Sequence, residues 1–226
     1  MKRTTFFITG TDTGVGKTVL TALLTRFLRE RGVNVAALKP VCSGGRDDAR
    51  VLRAASAGAL TLDEVNPWHF RAPTAPLLAA RRERKQVRLS DALAYLRAMQ
   101  RRFDVLLVEG AGGLLSPLGE NFDSRDLIAS LRAVPIVVCP NRLGAVNQVL
   151  LTLEALPSGA AARARIVLVL PPKPDVSTRT NAGLLAEHLG GKRIFPMPWL
   201  GGPIDWARGV EHLQVRRALQ GLASAF

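Results

Sequence analysis

Lys17 and Thr18 close a glycine-rich stretch, Gly10-Thr11-Asp12-Thr13-Gly14-Val15-Gly16-Lys17-Thr18, and its residue types suit phosphate chemistry. Glycines let a backbone curl so that several N–H groups point inward at phosphate oxygens. A helix beginning at Lys17 would add the positive end of its dipole. Lys17 can reach the terminal phosphates, and the Thr18 hydroxyl can bind Mg²⁺. The common spacing of such loops would place the first glycine at position 11, where this chain has Thr; here it stands at Gly10. The stretch is not a dinucleotide fingerprint, because the third glycine of that pattern would fall at Val19.

Polar residues at other points can serve the same site. Val108-Glu109-Gly110-Ala111-Gly112-Gly113 follows an apolar run. An acid at the end of a buried strand is costly without a partner or a task. A Mg²⁺ ion would supply that partner, and the alternative is a strand-end carboxylate capping a turn. Lys39, at the end of a second apolar run and fixed by Pro40, can offset charge building on a transferred phosphoryl or a carbamate. Its alternative is a surface lysine before a turn. Asp47 and Asp48 open the next helical pattern, where they favour the helix dipole or complete a metal shell.

These residues need a scaffold that brings several strand ends together. Apolar runs alternate with helical patterns, which predicts an α/β fold: a doubly wound, mostly parallel sheet with helices on both faces, like that of phosphate-loop nucleoside triphosphatases (P-loop NTPases). Strands are expected at 4–9, 34–38, 103–108, 134–139, 165–170 and 193–195. Helices are expected at 17–31, ending at Gly32, and at 47–55, 90–102, 145–155, 178–189 and 210–222. Ser90 is the expected N-cap of the third helix. The Pro-rich stretch 66–76 reads as a loop. In such sheets ligands collect at the carboxyl ends of the strands, where every motif above falls.

With 226 residues, 47% of them apolar, the chain has material for one full domain spanning residues 1–226. No run approaches the roughly 20 apolar residues of a membrane helix. Met1-Lys2-Arg3 leads directly into the first strand without a secretory signal. Two cysteines, Cys42 and Cys139, and three scattered histidines form neither a disulfide framework nor a metal cluster. A cytoplasmic protein is expected. The net charge of +13 is dispersed and lacks interleaved aromatics, so it reads as a basic surface and not as a nucleic-acid footprint.

The full set of motifs resembles the dethiobiotin synthetase family. Gly10-Thr-Asp-Thr-x-Val-Gly-Lys-Thr18 comes first, followed by Lys39-Pro-Val-x-Ser-Gly44. Val65-Asn-Pro-x-x-Phe70 with Pro73-x-x-Pro76 comes next. Val108-Glu-Gly-Ala-Gly-Gly113 with Pro117-Leu118, and Leu143-Gly-x-x-Asn147, complete the order. A weaker match, Pro198-Trp199-Leu200, extends toward the end.

The resemblance implies an ATP- and Mg²⁺-dependent ring closure that joins CO₂ to the two amines of 7,8-diaminononanoate and yields dethiobiotin, ADP and phosphate. By the same resemblance, Gly14, Val15, Gly16, Lys17, Thr18 and Val19 wrap the nucleotide, with Glu109, Gly110, Ala111, Gly112, Trp199 and Leu200 adding contacts. Thr18, Asp48 and Glu109 bind Mg²⁺, Asp48 being preferred to Asp47 because Asp48-Ala49 fits the family pattern. Lys39, Thr13 and Lys17 carry the chemistry. Thr13, Lys39 and Ser43 hold the diamine, and Leu143, Gly144 and Asn147 complete its site from the other subunit of a homodimer.

Two departures stand out. The family often has Glu where this chain has Gly14. It often places an Asn-Asp pair at the end of strand 165–170 to read adenine, where this chain has Val169-Leu170-Pro171-Pro172. The competing readings are another ATP-dependent amide-forming or ring-closing enzyme of the same superfamily, which would lack the Lys39–Ser43 block and Asn66-Pro67, and a ParA- or MinD-like switch. The switch class carries an additional lysine early in its phosphate loop, where this chain has only Thr and Asp before Lys17.

Overall fold

The computed structural model describes residues 3–200 and 206–224. Met1 and Lys2, read above as leading into the first strand, lie outside the described residues. The chain begins β1 (Thr4–Gly10), α1 (Lys17–Arg29), β2 (Val35–Leu38), β3 (Val41–Ser43), α2 (Asp47–Ala55), α3 (Leu62–Val65), β4 (Trp68–Phe70) and α4 (Pro76–Arg82). It continues α5 (Leu89–Arg102), β5 (Val105–Glu109), α6 (Ser124–Leu131), β6 (Val134–Pro140), α7 (Ala145–Ala155) and α8 (Ser158–Ala161). Last come β7 (Arg165–Val169), α9 (Val176–Leu189), β8 (Ile194–Met197), α10 (Trp206–Glu211) and α11 (Leu213–Ala223).

Six strands form one sheet in the order β2-β5-β1-β6-β7-β8. Every pairing is parallel: β1 sets Phe6 opposite Leu107 on one side and Val134 on the other. β5 is buried along its whole length, as a strand covered on both faces must be. Its Leu106, Leu107 and Val108 join Phe6, Phe7 and Ile8 of β1 in the core. The succession runs outward from β1 first toward β2 and β5, then back toward β6, β7 and β8. That reversal opens a crevice at the carboxyl ends of the strands, beside β1.

Several expectations need correction. The stretch 66–76 is not a plain loop: β4 pairs with β3 in a small parallel sheet, and Pro76 opens α4. Both strands have only three residues, too short for a periodic signal. Ser90 is not an N-cap. The α5 helix begins at Leu89 with Arg88 at the cap position, and the Ser90 hydroxyl donates to Asp91 Oδ1 at 3.2 Å. The final helix is two, α10 and α11, separated at His212. Leu170 falls beyond β7, which ends at Val169.

Candidate active site

The phosphate loop joins β1 to α1. Gly16 stands at the N-cap of α1 with a φ of 97°, a left-handed conformation that favours glycine and aims the first helical N–H groups into the loop. Val15 points the other way, into the core, at 5% exposed. Its position accounts for the glycine at 10: a Cβ there would lie 2.6 Å from Val15 Cγ2. Lys17 is buried, and its Nζ donates to the Asp12 carbonyl at 2.7 Å. Burial, reinforced by the neighbouring Lys39, lowers the Lys17 pKa to about 8.

Lys39 enters from the end of β2. Its backbone is fixed on both sides: its N–H donates to Val65 O at 2.9 Å, and its carbonyl accepts from Asn66 Nδ2 at 2.8 Å. The Lys39 Nζ donates to Asp48 Oδ2 and to Glu109 Oε1, each at 2.6 Å. Burial by itself would lower the Lys39 pKa, but the Glu109 and Asp48 carboxylates more than offset it and hold the ammonium above the ordinary lysine range. Burial acts on Asp48 in the opposite sense, and Lys39 outweighs it to hold Asp48 below its ordinary value. The Thr18 hydroxyl donates to the same Glu109 Oε1 at 2.7 Å. Glu109 Oε2 is buried without a hydrogen-bond partner.

Thr18, Asp48 and Glu109 thus converge on one point from α1, α2 and β5. A hydroxyl with two carboxylates is the hard-oxygen set that suits Mg²⁺, which fills its other positions with water and phosphate oxygens. The unpartnered Glu109 Oε2 is an atom that such an ion would satisfy. The residues present therefore fit the metal.

Two cavities meet here. One, of about 250 Å³, is lined by Gly14, Gly16, Lys17, Thr18, Val19 and Glu109, together with Thr13, Lys39, Asp48 and Gly112. The other, of about 590 Å³, shares Thr13, Lys39, Asp48 and Gly112 and adds Ser43 and Ala111. Gly110 stands behind this wall, packed against Phe7 and Ser124. Leu143, Gly144 and Asn147 lie at the β6–α7 junction and line neither cavity; Leu143 is 82% exposed. Trp199 is exposed and Leu200 packs against the core, and neither lines the two cavities.

Sequence reasoning did not assign site roles to Cys42, Thr74, Ala75 or Ser116, which line the larger cavity. Ser43 is held there by donating from its hydroxyl to the Thr74 carbonyl at 2.5 Å. The prolines at 73 and 76 mark this wall in the sequence, but only the β3–β4 sheet brings it beside Lys39. Asn66 is buried beside the site; it accepts from Arg46 Nε at 3.2 Å while its amide donates to the Lys39 carbonyl.

A family profile described as an AAA domain matches residues 4–203. The ATP-dependent dethiobiotin synthetase of Akkermansia muciniphila is 43% identical over 67% of this chain and 71% of its own length. That of Anaeromyxobacter dehalogenans is 40% identical over 85% of this chain and 89% of its own. The enzyme of Marinobacter nauticus is 34% identical over 88% and 90%. Among solved structures, a ParA family ATPase from Chlorobium tepidum superposes with a TM-score of 0.54, covering 99% of this chain and 92% of its own at 12% identity. At that identity the likeness speaks for the fold alone, an α/β phosphate-loop architecture. Similarity to several synthetases over most of both chains, together with the profile match, establishes that this chain belongs to the ATP-dependent dethiobiotin synthetase family.

Proposed function

We propose that the protein closes the cyclic urea of dethiobiotin from 7,8-diaminononanoate, CO₂ and ATP, as a cytoplasmic enzyme of one domain. The observation that carries this reading is the wall shared by the two cavities: Lys39, Asp48, Thr13 and Gly112 line both. A diamine in the larger space would face a triphosphate in the smaller one across Lys39.

The chemistry follows from that arrangement. One amine of the substrate adds to CO₂ and becomes a carbamate. A carbamate oxygen attacks the γ-phosphorus of ATP and ADP leaves, giving a carbamic–phosphoric anhydride. The neighbouring amine then attacks the carbonyl carbon, phosphate departs and the ring closes. The substrate brings its own nucleophiles, so the chain's task is positioning and charge stabilisation. The loop N–H groups and Lys17 hold the phosphates. Lys39 stabilises negative charge on the carbamate and on the phosphoryl group as it transfers. Thr18, Asp48 and Glu109 would hold Mg²⁺, which when bound neutralises triphosphate charge. Thr13 and Ser43 orient the diamine.

Leu143, Gly144 and Asn147 would complete the diamine site of a partner copy in a homodimer. The exposure of Leu143 and of Leu151 on α7 supports that reading, since both would be covered by a second copy. The test is to supply diaminononanoate, bicarbonate, Mg²⁺ and ATP to the purified protein. Dethiobiotin and ADP in equal amounts are expected; ATP turnover that ignores the diamine would contradict the reading.

A further inference from the structure

Lys39 and a metal ion would draw on the same two carboxylates, Asp48 and Glu109. The Lys39 ammonium donates to Asp48 Oδ2 and Glu109 Oε1, each at 2.6 Å, close charge-assisted contacts to both carboxylates. Asp48 and Glu109 are also the carboxylates of the metal set proposed above, and the present inference rests on that set. Thr18 Oγ1, the third member, already donates its proton to Glu109 Oε1. Glu109 Oε1 thus accepts from an ammonium and a hydroxyl at once, which leaves Oε2 as the one oxygen of this carboxylate open to a cation.

The charges lining the smaller cavity point the same way. They are Lys17, Lys39, Asp48 and Glu109, two cations against two anions. A free divalent ion would meet a balanced site and would have to approach a buried ammonium. A triphosphate changes both conditions. It brings excess negative charge, and its oxygens, with those of a carbamate, offer Lys39 new acceptors.

We infer that Lys39 is an internal counter-ion that keeps the metal site closed until nucleotide arrives, so that metal enters with the nucleotide and Lys39 is released toward the reacting groups in the same event. The role is that of a placeholder in addition to its charge-stabilising one. It couples metal loading to nucleotide loading, and that coupling runs in both directions.

Mn²⁺ binding to the full chain, followed by the loss of its free-ion EPR signal, tests this without any turnover. Wild-type protein alone should leave the signal unchanged into the millimolar range, and should bind Mn²⁺ when a non-hydrolysable ATP analogue is added. Lys39→Met should bind Mn²⁺ without nucleotide at least about tenfold more tightly than wild type. Lys39→Arg, which keeps the positive charge, should remain weak. Circular dichroism checks that each variant is folded. If Lys39→Met does not fold, the wild-type comparison decides: tight Mn²⁺ binding without nucleotide overturns the inference. Equal affinity of folded Lys39→Met and wild type overturns it too. Glu109→Gln and Asp48→Asn separate this failure from a wrong ligand set. If both leave Mn²⁺ binding with the analogue unchanged, the ligand set is wrong. If they weaken it while Lys39→Met gains nothing, only the counter-ion role fails.

Discussion

The phosphate end of the cleft and the tip of β7 are built from opposite materials. At the phosphate end, Lys17, Lys39 and Glu109 are all buried; Lys39 and Glu109 are bonded to each other across two strands, and Lys17 to the Asp12 carbonyl of its own loop. At the tip of β7, Val169 lies over the loop, its Cγ2 3.6 Å from where a Cβ of Gly16 would stand. The backbone there is already engaged: Leu170 N donates to Met197 O at 2.8 Å, and Val169 O accepts from Asn141 N at 2.7 Å. The nearby amides of Asn141 and Asn181 are turned on each other at 2.9 Å and tie β6 to α9. One end offers charge and directed hydrogen bonds, and the other offers shape and apolar contact. Such an enzyme would hold a triphosphate firmly and read its base loosely.

The contrast can be broken at its strong end first. Lys39→Ala is expected to lower turnover by about 10²–10³-fold while nucleotide affinity is mostly kept. Because it leaves Glu109 buried without its cation, it should also cost about 3 kcal/mol of stability, read by urea or thermal melting. Unchanged turnover would remove Lys39 from the chemistry. Asn66→Ala frees the Lys39 backbone and should reduce kcat by about thirtyfold with little change in KM for nucleotide. A KM effect alone would show that Asn66 serves binding and not the placement of Lys39.

Lys17 supplies a pH test. Its pKa is lowered to about 8, so it is protonated below that value and loses its charge as pH rises through it. Nucleotide affinity, measured calorimetrically, should be flat below about 8 and fall about tenfold one unit above it. Protons should be taken up on binding near that pH, as a proton-linked ammonium requires. The smallest effect belongs to the weak end. With Val169-Leu170-Pro171-Pro172 at the end of β7 in place of an Asn-Asp pair, kcat/KM for ATP, GTP and CTP should agree within about fivefold. Strict preference for ATP in a competition assay would show that backbone or partner groups read the base.

The same contrast governs how much was legible in the sequence. The phosphate loop was, because an apolar strand, glycines and Lys17-Thr18 are contiguous and the chemistry is local. The central strands were, because burial on both faces makes continuous apolar runs such as Val105–Val108. What escaped depends on contacts distant in sequence. The Lys39–Glu109 bond joins residues that only the β2–β5 pairing brings together, with Leu38 opposite Val108. The β3–β4 sheet is three residues deep and escaped for lack of a period. The α6 helix, with Asp123 at its N-cap, escaped because its eight residues give little more than two turns of period. Asn66 was visible as part of a motif, but its work on the Lys39 backbone required the fold.

The central claim is that a carbamate formed in the larger cavity attacks a phosphorus held in the smaller one, across Lys39. Turnover with freshly prepared ¹⁸O-labelled bicarbonate tests it most directly. One oxygen of the CO₂ should leave in inorganic phosphate and the other should remain in the dethiobiotin carbonyl, with ADP formed in equal amount. Unlabelled phosphate, or ADP released without the diamine, would contradict the account.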